Sequence, residues 1–132
     1  NIPEEVIKQA LRAVKVKGRV EPVEVSNRFT VMIDYAHNAM SLKSLLTTLA
    51  EYQPKRIVSL FGCGGNRSRD RRFEMGEVSS RLADLTIVTS DNPRTEDPMT
   101  IINQMEAGVS AEAVYIKEVS REKAIQIAVA GI

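Results

Sequence analysis

Three short apolar runs, each followed by a polar turn and then a stretch with helical spacing, constrain this chain most. They are Arg56 to Phe61, Leu85 to Thr89 and Ala113 to Lys117. A strand with one wet face alternates apolar and polar residues, whereas these runs are nearly continuous. Continuous runs belong in a parallel sheet covered on both faces, because each parallel crossover lays a helix on the sheet. The segments that follow have the 3.6-residue period of amphipathic helices. The pattern predicts an α/β fold of the doubly wound class, a mostly parallel sheet with helices on both faces.

The full expected order is as follows. A helix spans 3–15, with Pro3 in its first turn and an apolar stripe of Val6, Ala10, Leu11 and Val14, and Gly18 closes it. A short edge strand carrying Pro22 covers 20–25. Phe29 to Tyr35 reads as a further buried strand. Ser41 to Tyr52 is a helix with Leu42, Leu45, Leu46 and Leu49 on one side. Helices are also expected at Phe73 to Leu82 (Met75, Val78, Ser79 and Leu82 inward), Met99 to Ala107 and Arg121 to Ala130. Right-handed crossovers place the strand-to-helix loops, 34–39, 62–72 and 90–97, along one edge of the sheet. Ligands of open α/β sheets bind at that edge.

The whole-chain numbers narrow the function classes. At 132 residues there is room for one core. The net charge is +1, so no bulk attraction to nucleic acid or membrane is expected. Aromatic residues make up only 5%, too few for a base-stacking platform. No apolar run approaches the roughly 20 residues of a membrane helix, and no secretory signal is visible. The single cysteine, Cys63, fits a reducing cytoplasm and has no partner for an internal disulfide.

The unusual residues lie in the three loops. Asp34-Tyr35-Ala36-His37-Asn38 ends the Val31-Met32-Ile33 strand; Asp34 and His37 could touch a nucleotide or a metal-bound phosphate. The only histidine, His37, fits a structural role equally well, and Asn38 fits a helix cap. Gly62-Cys63-Gly64-Gly65-Asn66 lets backbone approach a ligand closely. Four arginines at 67, 69, 71 and 72 add positive charge for phosphate or carboxylate. The spacing is neither a P-loop nor Gly-x-Gly-x-x-Gly, so hydride-transfer chemistry has little support. A flexible solvated turn is the plain alternative, and Cys63 reads as buried filler rather than a nucleophile. In Asp91-Asn92-Pro93-Arg94, a Pro-stiffened turn offers Arg94 as a planar fork for a carboxylate. The same residues fit a capped turn with a solvated arginine. Thr95 or Asp97 caps the next helix, and Pro98 suits its first turn.

Taken together and in order, Asp34-Tyr35-Ala36-His37-Asn38, Gly62-Cys63-Gly64-Gly65-Asn66-Arg67 and Asp91-Asn92-Pro93-Arg94-Thr95-Glu96-Asp97-Pro98 resemble the C-terminal domain of the Mur ligases. The lead-in Val16-Lys17-Gly18-Arg19-Val20-Glu21-Pro22-Val23 is similar as well. The first motif is shared with folylpolyglutamate and cyanophycin synthetases. The third resembles the tripeptide synthetases that add meso-diaminopimelate. Departures are Asn66 where the family has Asp, Asn38-Ala39-Met40 where it has Thr-Pro-Asp, and Arg71-Arg72-Phe73 where Lys-Arg-Pro is common.

The resemblance implies an ATP-dependent amide ligase of peptidoglycan synthesis, working in the cytoplasm. Its partners are UDP-MurNAc-L-Ala-D-Glu, meso-diaminopimelate and ATP, with no nucleic acid and no membrane. It implies amino-acid contacts at Arg67, Asp91, Asn92 and Arg94, and nucleotide contacts at Asp34, Tyr35, His37 and Asn38. No catalytic or metal-binding residue is expected in these 132 residues. The Mg2+ ligands belong mainly to a central P-loop domain, and more amino-acid contacts to a downstream Gly-Lys-Gly-His-Glu segment. On this reading residues 1–18 are a linker helix from a preceding domain and 19–132 the C-terminal domain, cut short, with no turnover of its own. A cyanophycin- or folylpolyglutamate-type ligase domain and a stand-alone ligand-binding module are the alternatives. The oligomeric state is left open.

Overall fold

The computed structural model describes residues 2–131, and the ends of the sequence, Asn1 and Ile132, lie outside it. The chain divides into two compact units, Asn1–Tyr35 and Ala36–Ile132.

The first unit opens with α1 (Glu4–Ala13), two residues shorter at its C-terminal end than the sequence pattern predicts. Glu4 and Glu5 in the first turn and Arg12 in the last complement the helix dipole. Lys8 Nζ lies 2.8 Å from Glu4 and 3.3 Å from Glu5. The expected apolar stripe buries nothing: Val6, Leu11 and Val14 are exposed. Gly18, at φ +69°, turns the chain after the helix rather than closing it. β1 (Glu21–Val23) then pairs antiparallel with β2 (Val31–Ile33), Pro22 opposite Met32. A two-stranded ribbon consists of two edges, so Pro22 costs no interior ladder bond. The buried strand expected over Phe29 to Tyr35 is therefore corrected. Only three of its residues pair, none is buried, and it is not a member of the parallel sheet.

The second unit carries the predicted fold class. Its elements are α2 (Ala39–Glu51), β3 (Val58–Phe61), α3 (Arg69–Leu82), β4 (Leu85–Thr89), α4 (Pro98–Glu106), β5 (Tyr115–Glu118) and α5 (Arg121–Ala130). The strands form one parallel sheet in the order β3-β4-β5, with Phe61 opposite Val88 and Thr89 opposite Glu118. All five residues of the central β4 are buried, which is why its sequence is apolar without alternation. Phe61 and Val88 point to one face and pack with Leu42 and Leu46 of α2, Met75 of α3 and Ile101, Ile102 and Met105 of α4. Leu85 and Ile87 point to the other and pack with Ala124 and Ala128 of α5.

Two glycines let α3 and α4 come together at backbone distance. A Cβ on Gly76 would stand 2.0 Å from the Met105 carbonyl oxygen, and one on Gly108 would stand 1.9 Å from that of Phe73. Between α3 and β4 the hydroxyls of Ser79 and Thr86 are 2.8 Å apart and satisfy each other in the core.

α3 departs from expectation. It starts at Arg69, four residues before Phe73, so Arg71 and Arg72 are helical rather than part of the loop. Its inward stripe is Arg72, Met75, Gly76, Ser79 and Ser80, while Leu82 is exposed. A buried arginine in the first turn extends the helix back over what reads in the sequence as a charged loop.

Candidate functional site

The loop after β3 and the turn after β4 meet at the carboxyl ends of two neighbouring parallel strands. Their contact begins with backbone. Gly65 N–H donates to the Asn92 carbonyl at 2.8 Å, and Glu96 N–H donates to the Pro93 carbonyl at 3.0 Å. A Cβ on Gly65 would lie 1.8 Å from the Pro93 oxygen, so only glycine allows this approach. Gly62 is tight for the same reason: a Cβ there would lie 2.6 Å from the Thr89 oxygen.

Side chains then lock the two segments. Arg72 is only 1% exposed, and its guanidinium grips the Glu96 carboxylate at both oxygens, 2.8 Å from Nη1 and 2.7 Å from Nη2. Two parallel charge-assisted bonds of this kind fix orientation as well as distance. Nη1 also donates to Gln104 of α4 at 2.6 Å, and Nη2 to the Gly64 carbonyl at 3.1 Å. Among the described residues Nε alone of this guanidinium has no partner. Glu96 accepts a further bond from the Asn66 backbone N–H. Asn66 Oδ1 accepts from Thr95 Oγ1 at 2.9 Å. The Arg72 guanidinium, helped by the Asn66 N–H, holds the Glu96 carboxyl down at about 2. The carboxylate in turn raises Arg72 above its ordinary value.

Two residues here have left-handed backbone: Asn66 at φ +56° and Arg94 at φ +52°. For a non-glycine residue this costs about 1–3 kcal/mol and persists where the surroundings over-determine it. Asn66 is held by Glu96 and Thr95. Arg94 sits inside the turn closed by the Glu96-to-Pro93 bond. Arg67 and Arg94 are both exposed, and among the described residues neither side chain makes a hydrogen bond or an ion pair. Asn92 and Asp91 are exposed beside them. The structure thus brings Arg67 and the 91–94 turn onto one pair of interlocked segments. That arrangement can hold an anion with two carboxylate-matching forks while its own frame is already paired.

Cys63 packs in the core, its Sγ 3.7 Å from Met75 Sδ. Burial pushes its thiol up to about 11, so it is no nucleophile near neutrality. Asp97, not Thr95, caps α4 through a 2.8 Å bond from the Thr100 N–H. Thr95 is engaged with Asn66 instead. Pro98 occupies the first turn as expected.

The residues of the first loop fall on either side of the division between the units. In the first unit Asp34 Oδ2 accepts from the Val20 N–H at 2.9 Å, and the Arg19 guanidinium lies over the Tyr35 ring, 4.7 Å from its centre. Such a cation–π contact is worth roughly 0.5–1 kcal/mol when exposed. In the second unit His37 is exposed. Asn38 caps α2 in a capping box: its Oδ1 accepts from Ser41 N–H at 2.9 Å, and Ser41 Oγ faces the Asn38 N–H at 3.4 Å. Among the described residues no group of three or more His, Cys, Asp or Glu side chains is placed to hold a metal ion. None of their helices is long and apolar enough to cross a membrane.

Sequence reasoning counted Arg72 as one of four ligand-facing arginines and passed over Glu96 and Gln104. The corrected role of Arg72 is internal, because burial and four bonds occupy its guanidinium. A signal was available. Arg72, Met75 and Ser79 recur at the spacing of one helix face, which puts Arg72 inward.

The family model for the Mur ligase, glutamate ligase domain matches residues 18–132. A curated protein of Caldanaerobacter subterraneus subsp. tengcongensis, a UDP-N-acetylmuramoyl-L-alanyl-D-glutamate--2,6-diaminopimelate ligase, is 43% identical over 128 residues, covering 96% of this chain and 27% of its own length. The protein of that name from Aquifex aeolicus is 42% identical, with 97% of this chain and 26% of its own length covered. A solved structure of a ligase of the same name superposes with a TM-score of 0.77 at 30% identity, over 92% of this chain and 25% of that one. A Mycobacterium tuberculosis folylpolyglutamate synthase, solved with ADP and AMPPCP, shares the fold with a TM-score of 0.76 at 20% identity, over 98% of this chain and 28% of its own. The chain spans about a quarter of the length of the curated relatives it matches.

Proposed function

The chain belongs to the Mur ligase, glutamate ligase domain family, and on that premise we propose that it is the amino-acid- and ATP-contacting domain of a ligase joining meso-diaminopimelate to UDP-MurNAc-L-Ala-D-Glu. One observation carries the choice of amino acid. Arg94 stands exposed on a turn whose backbone is fixed by paired groups, with Arg67 on the segment locked to it. Diaminopimelate differs from lysine by a second carboxylate at the far end of its side chain. An arginine fork offers that group two parallel hydrogen bonds, and lysine offers the fork nothing to accept them. Arg67, Asp91, Asn92 and Arg94 are the assigned amino-acid contacts. The names and 42–43% identities of the bacterial relatives support the assignment.

The reaction assigned to the whole protein has two steps. The substrate carboxylate attacks the γ-phosphorus of ATP, releasing ADP and forming an acyl phosphate. The diaminopimelate amine then attacks the acyl carbon, and the tetrahedral intermediate expels phosphate as the amine loses a proton. This chain's part is to orient the amine by holding the distant carboxylate. Asp34, Tyr35, His37 and Asn38 are assigned to the nucleotide. Mg2+ is assigned mainly to a central P-loop domain, as the family resemblance implies. Residues 1–18 are assigned as a linker and 19–132 as the domain, in keeping with a family match that begins at residue 18. The protein is assigned to the cytoplasm, as the family resemblance implies.

The test is a coupled ADP-release assay on the full-length ligase carrying this domain, with UDP-MurNAc-L-Ala-D-Glu and either meso-diaminopimelate or L-lysine. Turnover with diaminopimelate, lost on Arg94→Ala through a higher KM for the amino acid, is expected. Equal turnover with lysine would overturn the substrate assignment.

A further inference from the structure

We infer that Arg72, through Glu96, is a positioning residue that sets the spacing of Arg67 and Arg94 without touching the ligand. The inference deepens the function just proposed and rests on its assignment of those two arginines to the amino acid. The argument starts from reach. One guanidinium bonds three separate segments: the Gly64 carbonyl in the loop after β3, the Glu96 carboxylate in the turn after β4, and Gln104 in α4. Glu96 passes the constraint on by accepting the Asn66 N–H, and Thr95 closes the ring by donating to Asn66 Oδ1.

The residues held this way adjoin the two exposed arginines. Asn66 directly precedes Arg67, and Thr95 directly follows Arg94. Asn66 and Arg94 both keep left-handed backbone, so releasing the lock lets each relax toward ordinary φ and swing its neighbouring side chain. A bidentate fork tolerates errors of only about 0.5 Å in its target. The consequence falls on the ligand with a far carboxylate, and not on the nucleotide.

A merely structural buried arginine would lower stability everywhere. The positioning role differs in two readouts. The first needs no ligand: amide hydrogen exchange of this chain and of Arg72→Lys, with Glu96→Gln as the second variant. Lysine keeps the charge but cannot bridge three segments. Tenfold or greater loss of protection at Gly65 and Asn66, with Ile87 and Ile102 unchanged, is expected. Unchanged protection at Gly65 and Asn66, or an equal loss at all sites, overturns the lock.

The second readout is calorimetric titration of the full-length ligase carrying this domain with meso-diaminopimelate and with ATP. Arg72→Lys is expected to weaken diaminopimelate at least tenfold, to leave ATP unaltered, and to add no further loss on an Arg94→Ala background. Additive losses overturn the inference. A wild-type full-length ligase that binds no diaminopimelate overturns the proposed amino-acid site and the ligand half of this inference with it, while the exchange readout still decides the lock by itself.

Discussion

Replacing Gly65 with alanine attacks the meeting of the two loops directly. The new Cβ would stand 1.8 Å from the Pro93 carbonyl oxygen and 2.5 Å from its carbon. The Pro93 peptide must retreat by at least about 1.2 Å before the oxygen contact reaches even 3.0 Å. Backbone cannot swing aside as a side-chain tip does, so the cost resembles core overpacking, about 1–3 kcal/mol. The retreat also stretches the 2.8 Å bond from Gly65 N–H to Asn92, worth about 0.5–1.5 kcal/mol net. The sum is about 1.5–4.5 kcal/mol, or, at about 2 kcal/mol per M, a fall of roughly 0.7–2.2 M in the urea midpoint. Gly64 supplies the control. A Cβ there meets nothing closer than the Asn92 oxygen at 3.8 Å. Gly64→Ala should be neutral or stabilise by about 0.4–1 kcal/mol, by restricting the unfolded chain. Urea unfolding followed by circular dichroism compares the two neighbours. Unfolding free energies that agree within about 0.5 kcal/mol would refute the docking of these loops.

Further outcomes follow from the site and its caps. Glu96 ionises near 4.5 when unfolded and at about 2 when folded, so its contribution is complete above the unfolded value and is lost as pH falls from about 4.5 toward 2. Urea midpoints measured down that range should fall less steeply for Glu96→Gln than for the parent, and identical slopes would count against the ion pair. Asn38→Ala removes the α2 capping box and should cost about 1 kcal/mol in the same unfolding assay, with Asn38→Asp retaining most of it. An unchanged midpoint for the alanine variant would mean that the cap contributes nothing.

The sequence was most legible where local and tertiary preferences agree. β4 matches its predicted bounds at Leu85–Thr89, because an unbroken apolar run that short fits only a strand buried on both faces. α5 matches at Arg121–Ala130, where Ser120 marks the start by accepting from the Lys123 N–H. Phe29 to Tyr35 misled because an apolar run carries no record of its pairing partner. Three of its residues join an exposed antiparallel ribbon with Glu21–Val23. The loops stood out in the sequence by their glycines and arginines. Their interlock was not, since it depends on Arg72 and Glu96, 24 positions apart in sequence and bonded side chain to side chain. Charge alone cannot separate an arginine that faces solvent from one that ties backbone together. The helical spacing of Arg72 with Met75 and Ser79 is the feature that does.

The central claim is that the Arg94 turn reads a distant carboxylate. Its most direct measurement is an NMR titration of the 132-residue chain with meso-diaminopimelate and L-lysine, repeated on Arg94→Ala. Shifts confined to residues around Arg67 and 91–94, seen with diaminopimelate, absent with lysine and abolished in the variant, are the predicted result. Equal shifts with lysine, or diaminopimelate shifts that survive loss of Arg94, would contradict it.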